Sequence, residues 1–197
     1  VAQTLQAAAP GEQWSVVGHS LGGKVAMMLA LEHPDLVEKL IVVDVAPRDY
    51  GDLARFEQYI HEMQSLPLAQ LTSRADAEAT FNESDPGVKA FLLQNLRRDG
   101  DSWRWQVNLD LVAADAAKGH HSAIADWPQR ASELPAYEGP VLWLAGGESR
   151  YVQDRDAEPM RALFPKVRLV TVKGASHWVH SDAPEVTIEA LRRFITA

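Results

Sequence analysis

The chain has 197 residues, of which 46% are hydrophobic and 23% are charged, and these proportions are ordinary for one globular domain. Its formal net charge of −8 at pH 7, without a cluster of Lys and Arg, argues against nucleic acid as a partner. The absence of cysteine excludes disulfides, thiolate metal sites and a cysteine nucleophile. No apolar run reaches the roughly 20 residues that span a bilayer, and nothing resembles a signal peptide, so we expect a cytoplasmic protein.

The first predicted element is the end of a helix, which covers residues 1–9 and is stopped by Pro10 and Gly11. These opening residues favour a helix, but they provide neither an N-terminal cap nor an initiator methionine. We therefore expect the chain to be a segment of a longer polypeptide.

A glycine-rich turn follows, between an apolar run at Trp14–Val17 and a helix-like run at Leu21–Glu32. The apolar run predicts a short buried strand, and the turn reads Gly-His-Ser-Leu-Gly-Gly over Gly18–Gly23. A strand, the pattern Gly-x-Ser-x-Gly and a helix together form the context of a nucleophile elbow, although the pattern alone is weakly specific. The alternative is a glycine-rich turn in which the serine is incidental.

In an elbow, the serine has a positive φ angle and its hydroxyl group stands clear of the sheet. We therefore predict a positive φ for Ser20, and we expect Gly18 and Gly22 to leave room where a Cβ would clash. The following helix directs its first N–H groups towards the reacting carbonyl, so the Leu21 N–H is the predicted oxyanion donor. A second donor normally comes from a loop after an early strand, and the chain holds no such loop before Ser20.

Three more strands are predicted, at Val37–Val45, Pro140–Ala145 and Val167–Val172, and helices are predicted at Asp154–Phe164 and Pro184–Thr196. Near-continuous apolar runs suit parallel strands that are covered on both faces. Four strands that alternate with helices predict a parallel α/β sheet, in which ligands bind at the carboxyl ends of the strands. Four polar residues follow these strands and should meet at that edge of the sheet: Ser20, Asp44, Ser149 and His177.

Residues 48–135 differ in character, because helix-like stretches replace the strands. We predict a mostly helical cap over 48–135, inserted between two parts of the sheet domain at 1–47 and 136–197. The alternative is the helical half of one ordinary domain, but the position of the block between two parallel-type strands favours a cap. The predicted helices are Leu53–Leu66, Pro67–Phe81, Pro86–Arg98 and His121–Trp127, and Trp103–Leu109 is predicted to be a short strand or extended segment.

A serine needs an adjacent base to act as a nucleophile near neutral pH, and the chain has seven histidines. His177 is the predicted base, because it follows the last strand after a flexible run of small residues. His19 lies inside the elbow and should point away from Ser20, whereas His180 is expected to pack or to bind the loop backbone. A metal site at His177 and His180 would need further ligands, so we predict neither a metal nor a cofactor.

The base needs a carboxylate that fixes its tautomer, and several acids lie between the serine and the histidine in the chain order of a hydrolase. Asp44 ends an apolar strand, where an unpaired carboxylate would be costly, although backbone amides of the following turn could satisfy it. Glu148 and Asp154 follow the penultimate strand, and Asp154 is equally suited to be a helix N-cap. The residues alone leave these three acids open.

Together these residues resemble the α/β-hydrolase superfamily, and they are most similar to the YbfF-like bacterial esterases of the abhydrolase group. The resemblance covers nearly the whole chain, and its first and last motifs are quite specific when they are found together. It rests on GHSLGGKVAMMLALEHPDLVEKLIVVDVAP at 18–47, GGESRYV at 146–152 and GASHWVHSDAPE at 174–185. The stretches 91–96 and 103–105 are similar to the helical cap of that family.

The resemblance implies Ser20 as the nucleophile and His177 as the base. Most α/β-hydrolases carry the acid after the penultimate strand, where Ser149 stands here, so this chain departs from the common pattern. In the YbfF-like group the acid follows the strand after the elbow, and that position matches Asp44, which we therefore prefer. The family also has strands before Trp14, so we expect them either in the true polypeptide or as a separate N-terminal fragment.

The predicted function is that of a cap-bearing serine hydrolase, which cleaves carboxylic esters or thioesters through an acyl-serine. We assign the binding of this small-molecule substrate to His19 and Trp178, the neighbours of Ser20 and His177 in the chain. An apolar, tryptophan-containing cap favours an acyl chain, although a cap must also bury its own core. The alternatives are carbon–carbon bond hydrolysis, perhydrolysis, and a non-catalytic ligand-binding protein on the same fold.

Overall fold

The computed structural model describes residues 1–50, 54–118 and 126–197. Two compact units divide the chain: Val1–Arg48 with Trp127–Ala197 form the first unit, and Asp49–Asp126 form the second unit. Within the described residues, no helix is both long and apolar enough to cross a membrane. The helices are α1 (Ala2–Ala8), α2 (Leu21–Glu32), α3 (Ala54–Ser65), α4 (Arg74–Thr80), α5 (Pro86–Leu93), α6 (Leu109–Ala116), α7 (Ala157–Leu163), α8 (Val179–Asp182) and α9 (Pro184–Thr196), and the strands are β1 (Trp14–His19), β2 (Val37–Val43), β3 (Leu96–Asp99), β4 (Ser102–Trp105), β5 (Val141–Gly146) and β6 (Val167–Val172).

A parallel sheet forms the centre of the first unit, with its strands in the order β1-β2-β5-β6. Each strand overlaps a predicted one, and the predicted parallel arrangement is confirmed. The predicted ends at Val17 and Val45 are wrong by two residues, because β1 ends at His19 and β2 at Val43. The two central strands are buried along most of their length: Leu40, Ile41 and Val42 of β2 and Val141 and Trp143 of β5 are inaccessible to solvent. This burial on both faces explains why the two strands read as unbroken apolar runs.

The strand β1 is less buried than predicted, because it is an outer strand of the described sheet. Trp14, Ser15 and Val16 are half-buried, and Val17 is 48% exposed. The predicted buried strand at Trp14–Val17 is therefore confirmed in its position and wrong in its burial.

The helices of the first unit begin and end close to their predicted limits. α1 stops before Pro10, and α2 and α9 have the predicted bounds. The predicted helix at Asp154–Phe164 consists of a 3-10 turn at Asp154–Asp156 followed by α7. The short α8, which begins two residues after His177, is not predicted by the sequence pattern.

The second unit has an apolar core of its own, which includes Met63, Leu71 and Phe81. Trp103 and Trp105 pack against this core, and their indole N–H groups donate to the backbone oxygens of Leu71 (3.1 Å) and Met63 (3.0 Å). Both tryptophans are thus accounted for by the packing of this unit. They carry no argument for an acyl-binding surface.

The predicted helix at Pro86–Arg98 is wrong in its second half. α5 ends at Leu93, and Leu96–Asp99 form β3, which pairs with β4 in an antiparallel hairpin. Leu92 and Leu96 have helical spacing, but Leu96 is buried as the partner of Trp105 in the hairpin. α6 is a helix that the sequence pattern does not predict. Most of the predicted helix at His121–Trp127 lies outside the described residues.

The first unit resumes at Trp127, before the predicted end of the cap at residue 135. Arg130 forms an ion pair with Glu32 at 2.7 Å, and Ala131 is fully buried. These contacts place the segment after Trp127 with the sheet. The function of Asp49–Asp126 as a cap stays a prediction.

Candidate active site

The predicted elbow lies where β1 ends at His19 and α2 begins at Leu21. Ser20 lies between them with a φ of 55°, so the predicted positive φ is confirmed. A Cβ on Gly18 would lie 2.2 Å from the backbone oxygen of Gly22, which is far inside contact distance. Residue 18 must therefore be glycine for β1 and α2 to meet as they do.

The predicted steric role of Gly22 is wrong. A Cβ on Gly22 would have nothing within 4 Å outside its own helix, whereas a Cβ on Gly23 would lie 2.5 Å from Cγ1 of Val45. The second glycine that close packing requires is thus Gly23, because α2 passes close to the turn that follows β2.

The first turn of α2 directs backbone N–H groups towards the region of Ser20. The backbone oxygen of Ser20 accepts bonds from the N–H groups of Gly23 (2.8 Å) and Lys24 (3.2 Å). Leu21 is the first helical residue, so the geometry of an α-helix leaves its N–H without an acceptor in the helix, and the residue is 43% exposed. The assignment of the Leu21 N–H as an oxyanion donor stays a prediction.

Asp44 lies directly after β2, is fully buried and has a φ of 50°. Its Oδ1 accepts a hydrogen bond from the N–H of Gly146 at 2.9 Å, and its Oδ2 lies 2.8 Å from Nδ1 of His177. Because a carboxylate only accepts, Nδ1 of His177 carries the proton and donates. Among the described contacts of Asp44, the backbone amide that binds its carboxylate belongs to Gly146 at the end of β5.

The two other candidate acids lie on the surface. Glu148 and Asp154 are exposed, and Asp154 begins the 3-10 turn that precedes α7. Among the described residues, the carboxylate that is bonded to His177 is that of Asp44.

Ser149 provides a third hydrogen bond to the Asp44 carboxylate. Its hydroxyl group donates to Oδ2, the oxygen that also accepts from His177, and accepts from the N–H of Tyr151 at 3.2 Å. Asp44 thus accepts from Gly146, Ser149 and His177. These bonds compensate for the removal of a carboxylate from water, which is otherwise costly.

Three aromatic rings surround the imidazole of His177. Tyr151 stacks on it, with 4.1 Å between the ring centroids and 27° between the planes. Trp178 meets it edge-on at 5.6 Å, and the ring of His19 lies at 4.6 Å. The orientation of the imidazole is therefore set by ring packing as well as by its bond to Asp44.

The loop before His177 is closed by a carboxylate from α8. Oδ2 of Asp182 accepts from the N–H of Ser176 (2.7 Å) and from its hydroxyl group (2.6 Å). The same hydroxyl oxygen accepts from the N–H of Trp178 at 3.2 Å. The side-chain hydrogen bond from Ser176, reinforced by the backbone bond, lowers the pKa of Asp182 from its usual range.

His19 contacts the same loop from β1. Its Nε2 lies 2.9 Å from the backbone oxygen of His177, and its ring is 4.9 Å from His180 and 5.7 Å from Trp178. Burial lowers the pKa of His19 from its usual range, which favours the neutral ring. The expected packing of His180 is confirmed. The binding of substrate by His19 and Trp178 stays a prediction, and the contacts described for His19 are with the loop.

The sequence predicts which polar residues follow the strands, but it does not predict several of the contacts that they make. Ser149 is singled out by its place after β5, and its bond to Asp44 is not predicted. Tyr151 and Asp182 are not predicted as partners of the loop at all. The sequence does contain a signal for the contact with Asp182: a serine before His177 and an acid six positions after that serine are close enough in the chain to bond to each other.

The chain matches the family of proteins with the α/β hydrolase fold over residues 1–184. It is 38% identical over 186 residues to the sn-1-specific diacylglycerol lipase ABHD11 of Mus musculus, and this alignment covers 91% of this chain and 58% of that protein. It is 30% identical over 181 residues to the esterase YbfF of Escherichia coli strain K12, and this alignment covers 91% of this chain and 66% of that protein. The chain thus spans less than two thirds of the length of these relatives.

A solved structure, the marine microorganism esterase, superposes on 98% of this chain and 74% of its own chain, with a TM-score of 0.86 and 27% sequence identity. The resemblance to the YbfF-like esterases is confirmed by the match to YbfF itself. The parallel sheet, the turn at Ser20 and these matches lead to one conclusion: the chain belongs to the α/β hydrolase fold family.

Proposed function

We propose that this chain carries the catalytic residues of a serine hydrolase that cleaves carboxylic esters or thioesters. The observation that carries the proposal is the 2.8 Å bond between Oδ2 of Asp44 and Nδ1 of His177, together with the serine at a φ of 55° on a strand-to-helix turn. A histidine whose Nδ1 is bonded to a buried carboxylate keeps Nε2 available for a serine hydroxyl group.

In the proposed reaction, Nε2 of His177 takes the proton of the Ser20 hydroxyl group while Oγ attacks the acyl carbon. Asp44 stabilises the imidazolium that forms, and the Leu21 N–H donates to the oxyanion. The tetrahedral intermediate then collapses to an acyl-serine, and the leaving alcohol or thiol takes the proton from His177. Water attacks the acyl-serine with the same base, which releases the acid and restores the serine.

The similar proteins support esters as the substrate class. The mouse relative is named as a diacylglycerol lipase and the bacterial relative as an esterase. A thioester presents the same electrophilic acyl carbon to Ser20 and differs from an ester only in its sulfur leaving group. Both classes are therefore included in the proposal.

Covalent labelling tests the proposed nucleophile in the protein at its natural length. A fluorophosphonate should label the wild type and leave Ser20→Ala unlabelled, because the reagent reacts with an activated serine. Ser132→Ala is the matched control, since Ser132 lies in an exposed turn and donates to the Gln129 carbonyl. Labelling that persists in Ser20→Ala, or a wild type that does not react, would contradict the proposal.

A substrate series then separates the two leaving groups. We expect hydrolysis of p-nitrophenyl esters of graded acyl length, with a loss of roughly 10⁵-fold or more in kcat for Ser20→Ala. The same acyl groups presented as coenzyme A thioesters compare sulfur with oxygen at a constant acyl length. Labelling at Ser20 without turnover of either class would point to other serine chemistry, including perhydrolysis and carbon–carbon bond hydrolysis.

A further inference from the structure

His19 connects the predicted nucleophile to the loop of the predicted base. It is the last residue of β1, where it pairs with Val43 of β2, and it directly precedes Ser20. The N–H of Ser20 in turn donates to the oxygen of Val43 at 3.0 Å. Strand pairing thus fixes the backbone of His19 on the same segment that positions Ser20.

The side chain of His19 reaches the backbone of His177. Since a carbonyl oxygen only accepts, Nε2 of His19 carries the proton and donates to the oxygen of His177 at 2.9 Å. His177 is therefore bonded at two points: its carbonyl oxygen to His19 and its Nδ1 to Asp44. Asp44 follows Val43, the strand partner of His19, so both bonds originate from neighbouring strand ends.

We propose that His19 is a positioning residue, which holds the loop of His177 against the elbow through its bond to the His177 carbonyl; this inference rests on the function proposed above. The bond restricts the peptide group after His177, while Asp44 orients the imidazole ring. Burial lowers the pKa of His19 and so favours its neutral form, which limits charge repulsion with the imidazolium that forms in the ring of His177, whose centroid lies 4.6 Å away. The residue acts through His177 and needs no contact with the substrate.

Four variants separate the donor of His19 from its ring. His19→Gln keeps an N–H donor at a similar reach, whereas His19→Met has a similar length without a donor, and His19→Phe keeps a ring without a donor. His180→Gln is the control, because His180 is an exposed histidine that also packs against the ring of His19. Thermal unfolding of each variant verifies the fold before kinetics are compared.

We expect His19→Phe and His19→Met to lower kcat for a p-nitrophenyl ester by about 10- to 100-fold, because a small displacement of the base is costly. KM should change by less than about twofold, and His19→Gln should recover most of the lost kcat. A direct contact with substrate would instead raise KM and leave kcat unchanged, which would overturn the proposal. Equal kcat values for the Gln and Met variants would also overturn it, even if His19→Phe does not fold.

A readout without substrate keeps this test separate from the proposed function. The proton between Nδ1 of His177 and Asp44 should give a low-field proton resonance in the NMR spectrum of the wild type. We expect this resonance to broaden in His19→Met and to persist in His19→Gln and in His180→Gln. A resonance that is unchanged in His19→Met would contradict the positioning role. A wild type with this resonance but without fluorophosphonate labelling would contradict only the proposed function.

Discussion

Ser20 and Asp44 are positioned by backbone geometry, whereas His177 is positioned by side-chain contacts. Ser20 has a φ of 55° and Asp44 a φ of 50°, and each lies directly after a paired strand of the sheet. His177 lies in the loop between β6 and α8, where His19 bonds its carbonyl oxygen and Asp182 bonds the residue before it. The two predicted halves of the reaction, attack and proton transfer, thus depend on different kinds of support.

Positions held by the backbone and positions held by side chains should tolerate substitution to different degrees. A non-glycine residue at positive φ costs on the order of 1–3 kcal/mol and persists only where the surroundings determine it completely. Strand pairing and the close contact at Gly18 provide such surroundings for Ser20. We therefore expect changes at the closely packed positions of the elbow, such as Gly18, to abolish the local structure, and changes in the loop of His177 to produce graded losses.

Asp44→Asn breaks the contact between Asp44, which follows β2, and His177 in its loop, and its effect should be second only to that of Ser20→Ala. The amide would present an N–H₂ group or a weaker acceptor to Nδ1 of His177, so the tautomer needed for proton transfer would be disfavoured. We expect kcat/KM for a p-nitrophenyl ester to fall by roughly 10³- to 10⁴-fold, with the fold retained by circular dichroism. Glu148→Gln and Asp154→Asn are the controls, since both acids are exposed. Near-wild-type turnover in Asp44→Asn would remove it from the catalytic residues.

Gly18→Ala tests whether the close backbone contact at Gly18 allows an added atom. Its Cβ would lie 2.2 Å from the backbone oxygen of Gly22, and backbone cannot move aside as a flexible side chain does. We expect a loss of about 3 kcal/mol or more in the free energy of unfolding, measured by urea denaturation.

Gly22→Ala is the matched control for this prediction, four positions along the chain. Its Cβ would meet open space, and alanine favours a helix over glycine by up to about 1 kcal/mol. The free energy of unfolding should therefore stay level or rise. Similar losses for the two variants would contradict the close contact at Gly18.

The sequence predicts the strands of the parallel sheet to within two residues at their ends, because the burial of a strand is visible in its own residues. A buried parallel strand needs an unbroken apolar run, and β2 and β5 have one. Parallel strands also bring their carboxyl ends to one edge, so Asp44 and His177 are predicted to meet although 133 positions separate them. The preference for Asp44 over Glu148 and Asp154, however, rests on the family resemblance and not on the spacing of the residues.

The contacts within the site depend on directions that a sequence does not carry. His19 is predicted to lie inside the elbow, after a strand that ends at Val17, whereas β1 extends to His19. Its assignment to substrate binding does not foresee that the ring reaches the His177 carbonyl. Gly22 is preferred over Gly23 because the motif names the former, whereas the close approach to Val45 arises from the packing of α2 on another segment. Leu96 likewise continues a helical spacing and is buried instead by its strand partner Trp105.

Asp182→Asn tests the bonds that hold Ser176, the residue before His177, and should have the smallest effect. The bonds from Ser176 lower the pKa of Asp182 from its ordinary value of 3.8, so the folded state favours the ionised form. This stabilisation is present above the unfolded pKa and is lost as the pH falls through the lower, folded pKa. Because the carboxylate is exposed, water screens its charge, and we expect the Ser176 amide of the variant to exchange its hydrogen only about threefold faster near pH 7.

The pH dependence of hydrogen exchange at the Ser176 amide decides whether the charge of Asp182 protects this amide from exchange. The ratio of the exchange rates of Asp182→Asn and wild type, measured at the same pH, should approach one as Asp182 becomes protonated. Glu185→Gln removes a charge of the same sign from the first turn of α9 and should leave the exchange of Ser176 unchanged. If the ratio stays constant into acid, the carboxylate acts by its shape and not by its charge. A loss of kcat/KM in Asp182→Asn as large as that in Asp44→Asn would show that the loop of His177 tolerates as little change as Asp44 itself.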